Sequence, residues 1–395
     1  MKITFFSNYF NHHQKPLSDE FLKLGIDYTF VATEPISEER LKLGYQNMDK
    51  EYPFVLTTYD SEENKEKAMQ LALDSDIVII GSAPHEYISK RLEMNKITFR
   101  YSERLLKQGN WRILDPFLFK KMLKENYKYK DKNLFLLVAS AYAPIDYKKY
   151  HTFKNKMYKW GYFPEFKEYD LEKLLLKKSQ NKKIKIVWCG RLIKYKNPEI
   201  VIKLAKKLVK NNYDFEINVI GEGKLRKKLE RKVAENNLTN VVKIMGSVPS
   251  SEVRKYMEEA NIYLFTSNYE EGWGAVLNES MNSACTVVAS HAIGSVPFLI
   301  NNYKNGIIYK YGDVLSLYES VTYLINNRKV MKELGYNAYN TIKNYWNPAY
   351  AVSSLLELYN KLQKDEKVIN DENKPATKAL PIKQNKMYNY IMKKR

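Results

Sequence analysis

Cysteine is almost missing from this chain: two in 395 residues, Cys189 and Cys285. Two thiols exclude a disulfide framework, and each sits in or beside an apolar run, where a cysteine behaves as a small buried hydrophobe. A reducing cytoplasm fits that usage. Also absent is any apolar run near the roughly 20 residues that cross a bilayer. The opening Met1-Lys-Ile-Thr-Phe-Phe6 is too short and wrongly flanked for a signal peptide, so a soluble or peripheral chain is expected. His85, His151 and His291 show no metal-ligand spacing, and no metal is expected in ligand binding. No RNP, zinc or helix-turn-helix signature occurs, which makes a nucleic-acid-binding protein a poor reading.

Positive charge, by contrast, is plentiful. Lysine and arginine number 65 against 45 acids, a formal +20. Such an excess attracts polyanions: nucleic acid, nucleotide phosphates or an anionic leaflet. The abundance of Lys, Asn, Ile and Tyr fits an AT-rich coding habit equally well. At 395 residues two lobes of roughly 150–200 residues are expected, each able to bury about 70% of its unfolded surface.

Strand-like and helix-like runs alternate through both halves. In the first, strands are expected at 2–6, 27–32, 76–81, 96–103 and 134–140, with helices at 17–24, punctuated by Pro16 and Gly25, and at 62–73. In the second, strands are expected at 184–189, 216–220, 241–245, 262–266 and 286–290. Helices at 198–211, 224–236 and 251–259 separate the strands, and helices at 314–326 and 328–345 follow. That alternation means α/β lobes with doubly wound parallel sheets. The expected division is 1–164 for an N-terminal lobe, 165–183 for a polar, lysine-rich linker and 184–345 for a C-terminal lobe. Residues 346–362 read as a closing helix and 363–395 as a basic, mobile tail. Between 112 and 132, Phe117, Leu118, Phe119, Met122 and Leu123 interleave with Lys120, Lys121, Lys124, Lys128 and Lys130. A basic amphipathic stretch of this kind either lies on an anionic membrane or forms an ordinary lobe helix.

The most informative stretch is Ser267-Asn-Tyr-Glu-Glu-Gly-Trp-Gly-Ala-Val-Leu-Asn-Glu279. Strand-like runs on either side make a βαβ unit, which puts the loop at the carboxyl end of a parallel strand, where open α/β sheets bind ligands. Glu271 falls in the loop and Glu279 about two turns into the helix. Gly272 and Gly274 let a ligand approach backbone N–H groups that have no partner in the helix. A carboxylate on each side of such a site can accept hydrogen bonds from vicinal hydroxyls, which is how a sugar or ribose is held. Upstream, Gly190-Arg191-Leu192 and Lys196 follow the first strand of this half. Two cations five residues apart can converge on a diphosphate, Arg as a planar fork and Lys as a point charge.

The pattern Glu-Gly-x-Gly-x-x-x-x-Glu from Glu271 to Glu279, with its Val-Val-Ala strand beyond, resembles the signature of the retaining family-4 glycosyltransferases. Those enzymes have the GT-B architecture, two Rossmann-like lobes facing across a cleft. The resemblance covers roughly 184–362 and implies roles for named residues. Arg191 and Lys196 would hold the donor's phosphates, and Glu271 the donor sugar's hydroxyls, making these three the catalytic set. Backbone amides around Gly272, Trp273, Gly274 and Ala275 would assist, Glu279 would take the ribose hydroxyls, and the turn at Gly246 and Val248 would seat the base. The chain departs from the family where Gly-Phe-Gly reads Gly-Trp-Gly. It departs again where Gly-x-Pro reads Ser283-Ala284-Cys285 and where Gly-Gly-x-x-Glu reads Ile293-Gly294-Ser295-Val296-Pro297.

The first lobe, with Ser-Asn-Tyr-x-Asn-His-His-Gln and Trp-Gly-Tyr-Phe-Pro, is similar to a subgroup found in bacterial surface-polysaccharide synthesis. In that arrangement one of His12 and His13 would meet the donor's phosphate or sugar, and Glu103 would stand near the reacting carbon. Each is equally readable as a loop residue with no task. The resemblance as a whole implies transfer of a hexose from a UDP- or GDP-linked sugar to a glycan or lipid-linked acceptor. The nucleotide sugar is then a substrate, with no separate cofactor, and the setting is the cytoplasm, with the inner face of the membrane as a peripheral site. A nucleotide-sugar epimerase shares the two-lobe fold. It needs no acceptor, and the intact Glu-x7-Glu spacing speaks against it.

Overall fold

The computed structural model describes residues 1–42, 46–180, 182–371, 373–383 and 387–389. The chain divides into two compact units, Met1–Glu165 with Asn347–Ile382, and Phe166–Trp346 with Lys383–Arg395.

In the first unit seven strands form one parallel sheet: β1 (Lys2–Ser7), β2 (Asp27–Ala32), β3 (Val55–Thr57), β4 (Ile77–Ile80), β5 (Thr98–Ser102), β6 (Leu134–Val138) and β7 (Met157–Lys159). Their order is β3-β2-β1-β4-β5-β6-β7. Every residue of β4 and β6 is buried, as a sheet covered by helices on both faces requires. The order reverses between β1 and β4. Strands β3 and β7 were not foreseen, because three residues are too few to display a period.

In the C-terminal region the expected closing helix forms, and neither it nor the tail at 376–379 stands apart from the first unit. The helix Pro348–Gln363 joins the first unit, burying Ala351, Val352, Leu355 and Leu358 and packing on the helix Lys15–Lys23. Nor is the expected mobile tail free at 376–379. Lys159 N donates to Thr377 O at 2.8 Å, Ala376 N to Lys159 O at 2.7 Å and Ala379 N to Met157 O at 2.9 Å. β7 is an edge strand with unpaired backbone groups, and this segment satisfies them.

The second unit has six parallel strands: β8 (Ile184–Cys189), β9 (Phe215–Ile220), β10 (Val242–Gly246), β11 (Ile262–Phe265), β12 (Thr286–Ser290) and β13 (Ile307–Tyr309). Their order is β10-β9-β8-β11-β12-β13, so the reversal lies between β8 and β11. Part of the expected linker is built into this unit. Asp170 caps the helix Leu171–Ser179 by accepting from Lys173 N, and Leu174, Leu175 and Lys178 are buried. The Lys178 ammonium donates to Met257 O at 2.7 Å and Ala260 O at 2.6 Å, which satisfies a cation that lysine richness alone would have left in solvent.

Candidate active site

Ligands of open α/β sheets bind outside the carboxyl ends of the strands, where the strand order reverses. In the second unit that point is flanked by the loops that leave β8 and β11, and the backbone clips these loops together. Trp188 Nε1 donates to Thr266 Oγ1 at 2.8 Å, and the same hydroxyl donates to Lys196 O at 2.7 Å. Asn268 N donates to Tyr195 O at 2.8 Å. On the other side Gly190 N reaches Ile220 O at 3.0 Å. Gly221, at φ +135°, is pressed so close that a Cβ there would stand 2.0 Å from Gly190 O. No other residue fits.

The clip brings Lys196 and Glu271 together. The Lys196 ammonium forms an ion pair with Glu271 Oε2, and Ser267 Oγ donates to that same oxygen at 2.8 Å. Both side chains of the pair are largely buried, 13% exposed for Lys196 and 9% for Glu271. Cys189, at the end of β8, senses the rest of the set. Burial pushes its thiol up to about 12, the Glu279 carboxylate adds to the rise, and Lys196 opposes it. Tyr263 of β11 is likewise raised, by burial first and then by Cys189, Glu271 and Glu279. Glu279 thus lies within electrostatic reach of Cys189 and Tyr263, which also feel Lys196 and Glu271 respectively.

Burial raises the Glu279 carboxyl above its ordinary value, with Arg254 in opposition. Its carboxylate has no hydrogen-bond partner among the described residues. The helix that carries it is Val276–Asn282, so Glu279 lies in the first turn and not two turns in. The cause is Gly274. At φ +78° it keeps the chain out of the helix, and a Cβ there would stand 2.4 Å from the Phe265 ring. Arg254 Nη1 ties down the far end of the helix through Glu279 O at 3.1 Å and Asn282 Oδ1 at 3.0 Å.

Trp273 faces inward. Its ring is buried against Trp346, with centroids 5.5 Å apart, and Nε1 donates to Asn278 Oδ1 at 2.9 Å. Gly272 beside it is buried too, while Gly274 and Ala275 are half-buried. The segment that departs from the family pattern after β12 supports this loop: Ser295 Oγ donates to Trp273 O at 2.6 Å and Gly294 N to Glu271 O at 3.4 Å. Ahead of β12, Ala284 adopts φ +53°, a left-handed turn that ordinarily favours glycine.

Arg191 is exposed and reaches the cluster only through Tyr195, to whose hydroxyl it donates at 2.7 Å. That ring also lies 5.5 Å from the Lys196 ammonium. Gly246 ends β10 at φ +74° beside the Arg226–Glu222 ion pair, and Val248 follows half-buried. No direct contact joins either residue to the Lys196–Glu271 pair among the described residues. Ser267, Tyr195, Ser295 and Arg254 were not singled out from sequence. Tyr195 beside Lys196 and Ser267 four residues before Glu271 were the available signals.

The other three candidates belong to the first unit. His12 and His13 follow β1, with rings 4.0 Å apart, and burial lowers the pKa of both, that of His13 to about 3. Glu103 follows β5 and pairs with Lys107. An Asp-x-Asp triplet, Asp74-Ser75-Asp76, precedes β4 at its amino end, where Asp76 Oδ2 accepts from Lys2 N at 2.7 Å.

With this geometry in view, the comparisons with known proteins are specific. Residues 174–341 match the family described as glycosyl transferases, group 1. An uncharacterized glycosyltransferase of Methanocaldococcus jannaschii is 31% identical over 151 residues, 38% of this chain and 41% of that protein. The amylovoran biosynthesis glycosyltransferase AmsK of Erwinia amylovora is 30% identical over 149 residues, 36% of each. The match thus spans less than half the length of these two relatives. Among solved structures, Anabaena HepE in complex with UDP superposes with a TM-score of 0.68 at 14% identity, over 92% of this chain and 100% of that one. At that identity the likeness shows the fold, which is GT-B: two Rossmann-like lobes, here of seven and six parallel strands.

Proposed function

We propose that this chain is a retaining glycosyltransferase of family 4, moving a hexose from a nucleoside-diphosphate sugar to a glycan or lipid-linked acceptor in the making of exopolysaccharide, capsule or lipopolysaccharide. The observation that carries the reading is the Lys196–Glu271 ion pair at the strand-order reversal of the second unit, with Glu279 close by. The match to group 1 glycosyl transferases covers these residues. Amylovoran synthesis in one relative and bound UDP in one structural neighbour support the polymer class and a UDP-linked donor.

The chemistry follows from where charge develops. As the bond from the anomeric carbon to the phosphate oxygen breaks, negative charge gathers on the leaving diphosphate and positive charge on the sugar. Lys196 and Arg191 are fixed cations for the former, and preorganised charge of this kind costs no rearrangement during reaction. They carry the neutralisation, so donor binding needs no metal. Glu271 accepts from the sugar's hydroxyls while remaining bonded to Lys196 and Ser267. Glu279, with an open carboxylate, accepts from the ribose. With retention, the acceptor oxygen bonds to the anomeric carbon on the face the diphosphate leaves, and its proton passes to the departing phosphate oxygen. No side-chain base is assigned.

The test is incubation of the whole chain with UDP- and GDP-hexoses and a lipid-linked glycan, with the product's anomeric configuration read by NMR. Retention with release of nucleoside diphosphate is expected. Arg191→Ala is expected to lower turnover at least tenfold with secondary structure unchanged, since Arg191 has no carboxylate partner among the described residues. Conversion of the nucleotide sugar to its epimer without acceptor would replace this reading with the epimerase.

A further inference from the structure

The second unit holds a cavity that sugar transfer does not use. It encloses about 300 Å³ at the amino ends of β11 and β12, the end of the sheet opposite to the loops of Lys196 and Glu271. The helix Leu171–Ser179 and the first turn of the helix Arg328–Tyr345 flank it. Leu175, Ala284 and Met331, all buried, form its apolar wall. Polar residues line it as well, but their hydrogen bonds are made elsewhere. The Lys178 ammonium donates to Met257 O and Ala260 O, and Thr286 Oγ1 donates to Met331 O. The Asn261 amide donates to Lys178 O at 2.9 Å and accepts from Lys185 N at 3.0 Å. A wall whose polar groups are already satisfied holds water poorly and favours hydrocarbon.

The mouth is cationic. Arg328, Lys329 and Lys332 line it and are exposed, and no acid lines the cavity among the described residues. Arg328 Nη2 donates to Lys182 O at 3.1 Å, which anchors the guanidinium. Lys329 and Lys332 have no carboxylate partner among the described residues. A hydrocarbon-lined hollow edged by three cations selects an amphipathic anion. The apolar body gains by leaving water, and the charged head stays at the rim in charge-assisted hydrogen bonds. A neutral hydrocarbon forgoes the rim, an amine is repelled by it, and a small hydrophilic anion leaves the wall bare. At about 30 Å³ for each water-sized group, about 300 Å³ takes about ten non-hydrogen atoms, the size of a carboxylate with about eight carbons.

We propose that this cavity is a second ligand site, separate from the crevice of Lys196 and Glu271, and that it takes a medium-chain acyl carboxylate. The chain lies against Leu175, Ala284 and Met331, and the carboxylate sits among Arg328, Lys329 and Lys332. The proposal is independent of the reaction assigned above and is read by binding alone.

Octanoate is the probe, titrated into the whole chain by calorimetry beside octanol, octylamine and acetate. One octanoate per chain is expected, bound at least tenfold more tightly than any of the other three. Lys329→Glu with Lys332→Glu is expected to weaken octanoate at least tenfold. Separately, Ser179→Trp sets an indole at the cavity's edge and is expected to abolish octanoate binding. All three positions are exposed, so circular dichroism and the melting temperature of the ligand-free variants are expected to stay at the wild-type values. No binding of octanoate, octanol or octylamine bound as tightly, or wild-type octanoate affinity in either variant overturns the proposal. Acetate bound as tightly as octanoate does so too, since the rim would then hold an anion without the cavity.

Discussion

The two sheets solve the same topological problem and fill the result differently. Each reverses its strand order once, between β1 and β4 in one unit and between β8 and β11 in the other, and each reversal opens a crevice between two loops. In the second unit the loops bring a lysine and a carboxylate into contact, with a second carboxylate nearby. In the first, the loop after β1 brings two histidines whose pKa burial lowers, that of His13 to about 3. A neutral imidazole offers one donor and one acceptor but no charge for a phosphate. The fold provides the crevice, and the loop residues decide what it grips: fixed charge on one side, uncharged hydrogen bonding on the other.

That contrast breaks most sharply at Lys196. Lys196→Ala is expected to lower turnover at least tenfold and, by stranding Glu271, to cost about 3 kcal/mol, the lower end for splitting a buried pair. Urea unfolding measures the second effect, and adding Glu271→Ala is expected to restore stability but not turnover. A single mutant with wild-type turnover would remove the distinction between the two crevices.

Gly274→Ala places a methyl group against the Phe265 ring at a left-handed φ and is expected to cost about 1–3 kcal/mol. A midpoint no lower than wild type would show that the loop is not held where it is described.

Glu279→Gln sharpens the comparison through pH. The folded carboxyl binds its proton more tightly than the unfolded one, so its contribution to stability is complete below the unfolded pKa and is lost as pH rises through the folded one. The glutamine variant is therefore expected to be the more stable at pH 7 and to lose part of the wild-type decline above pH ~4.3, the ordinary glutamate value. Nucleotide affinity by calorimetry is expected to fall. An unchanged affinity counts against the ribose role.

The smallest effect is expected at His13, where the sign is opposite. A histidine lowered from 6.5 to about 3 contributes stability that is whole above pH 6.5 and is lost as pH falls toward 3. His13→Asn is expected to flatten acid unfolding over that interval while leaving nucleotide affinity in place. A large loss of nucleotide affinity would assign the first crevice a share of the donor.

Much of this was legible in the chain. The long apolar strands, the alternation with helices and the Glu271–Glu279 spacing are local patterns, and they located the loops that leave β8 and β11. What escaped was set by distant partners. β3 and β7 are strands because of their neighbours, and Lys178 is buried because two carbonyls meet it. Trp273 stands amid the signature yet turns its ring toward Trp346, a residue 73 positions away. The contact of Lys196 with Glu271 spans 75 positions, and the clips through Thr266 and Asn268 hold the two loops together.

The return of residues 348–379 to the first sheet has a consequence for biosynthesis. On the ribosome, strands β1 to β7 emerge before the second unit, yet the helix that covers Lys15–Lys23 and the segment that closes the β7 edge are made only after it. The leading lobe therefore waits, incomplete, until the second lobe has been translated. Cutting the gene after residue 165 would yield a fragment with a bare helix face and an open strand, prone to aggregate.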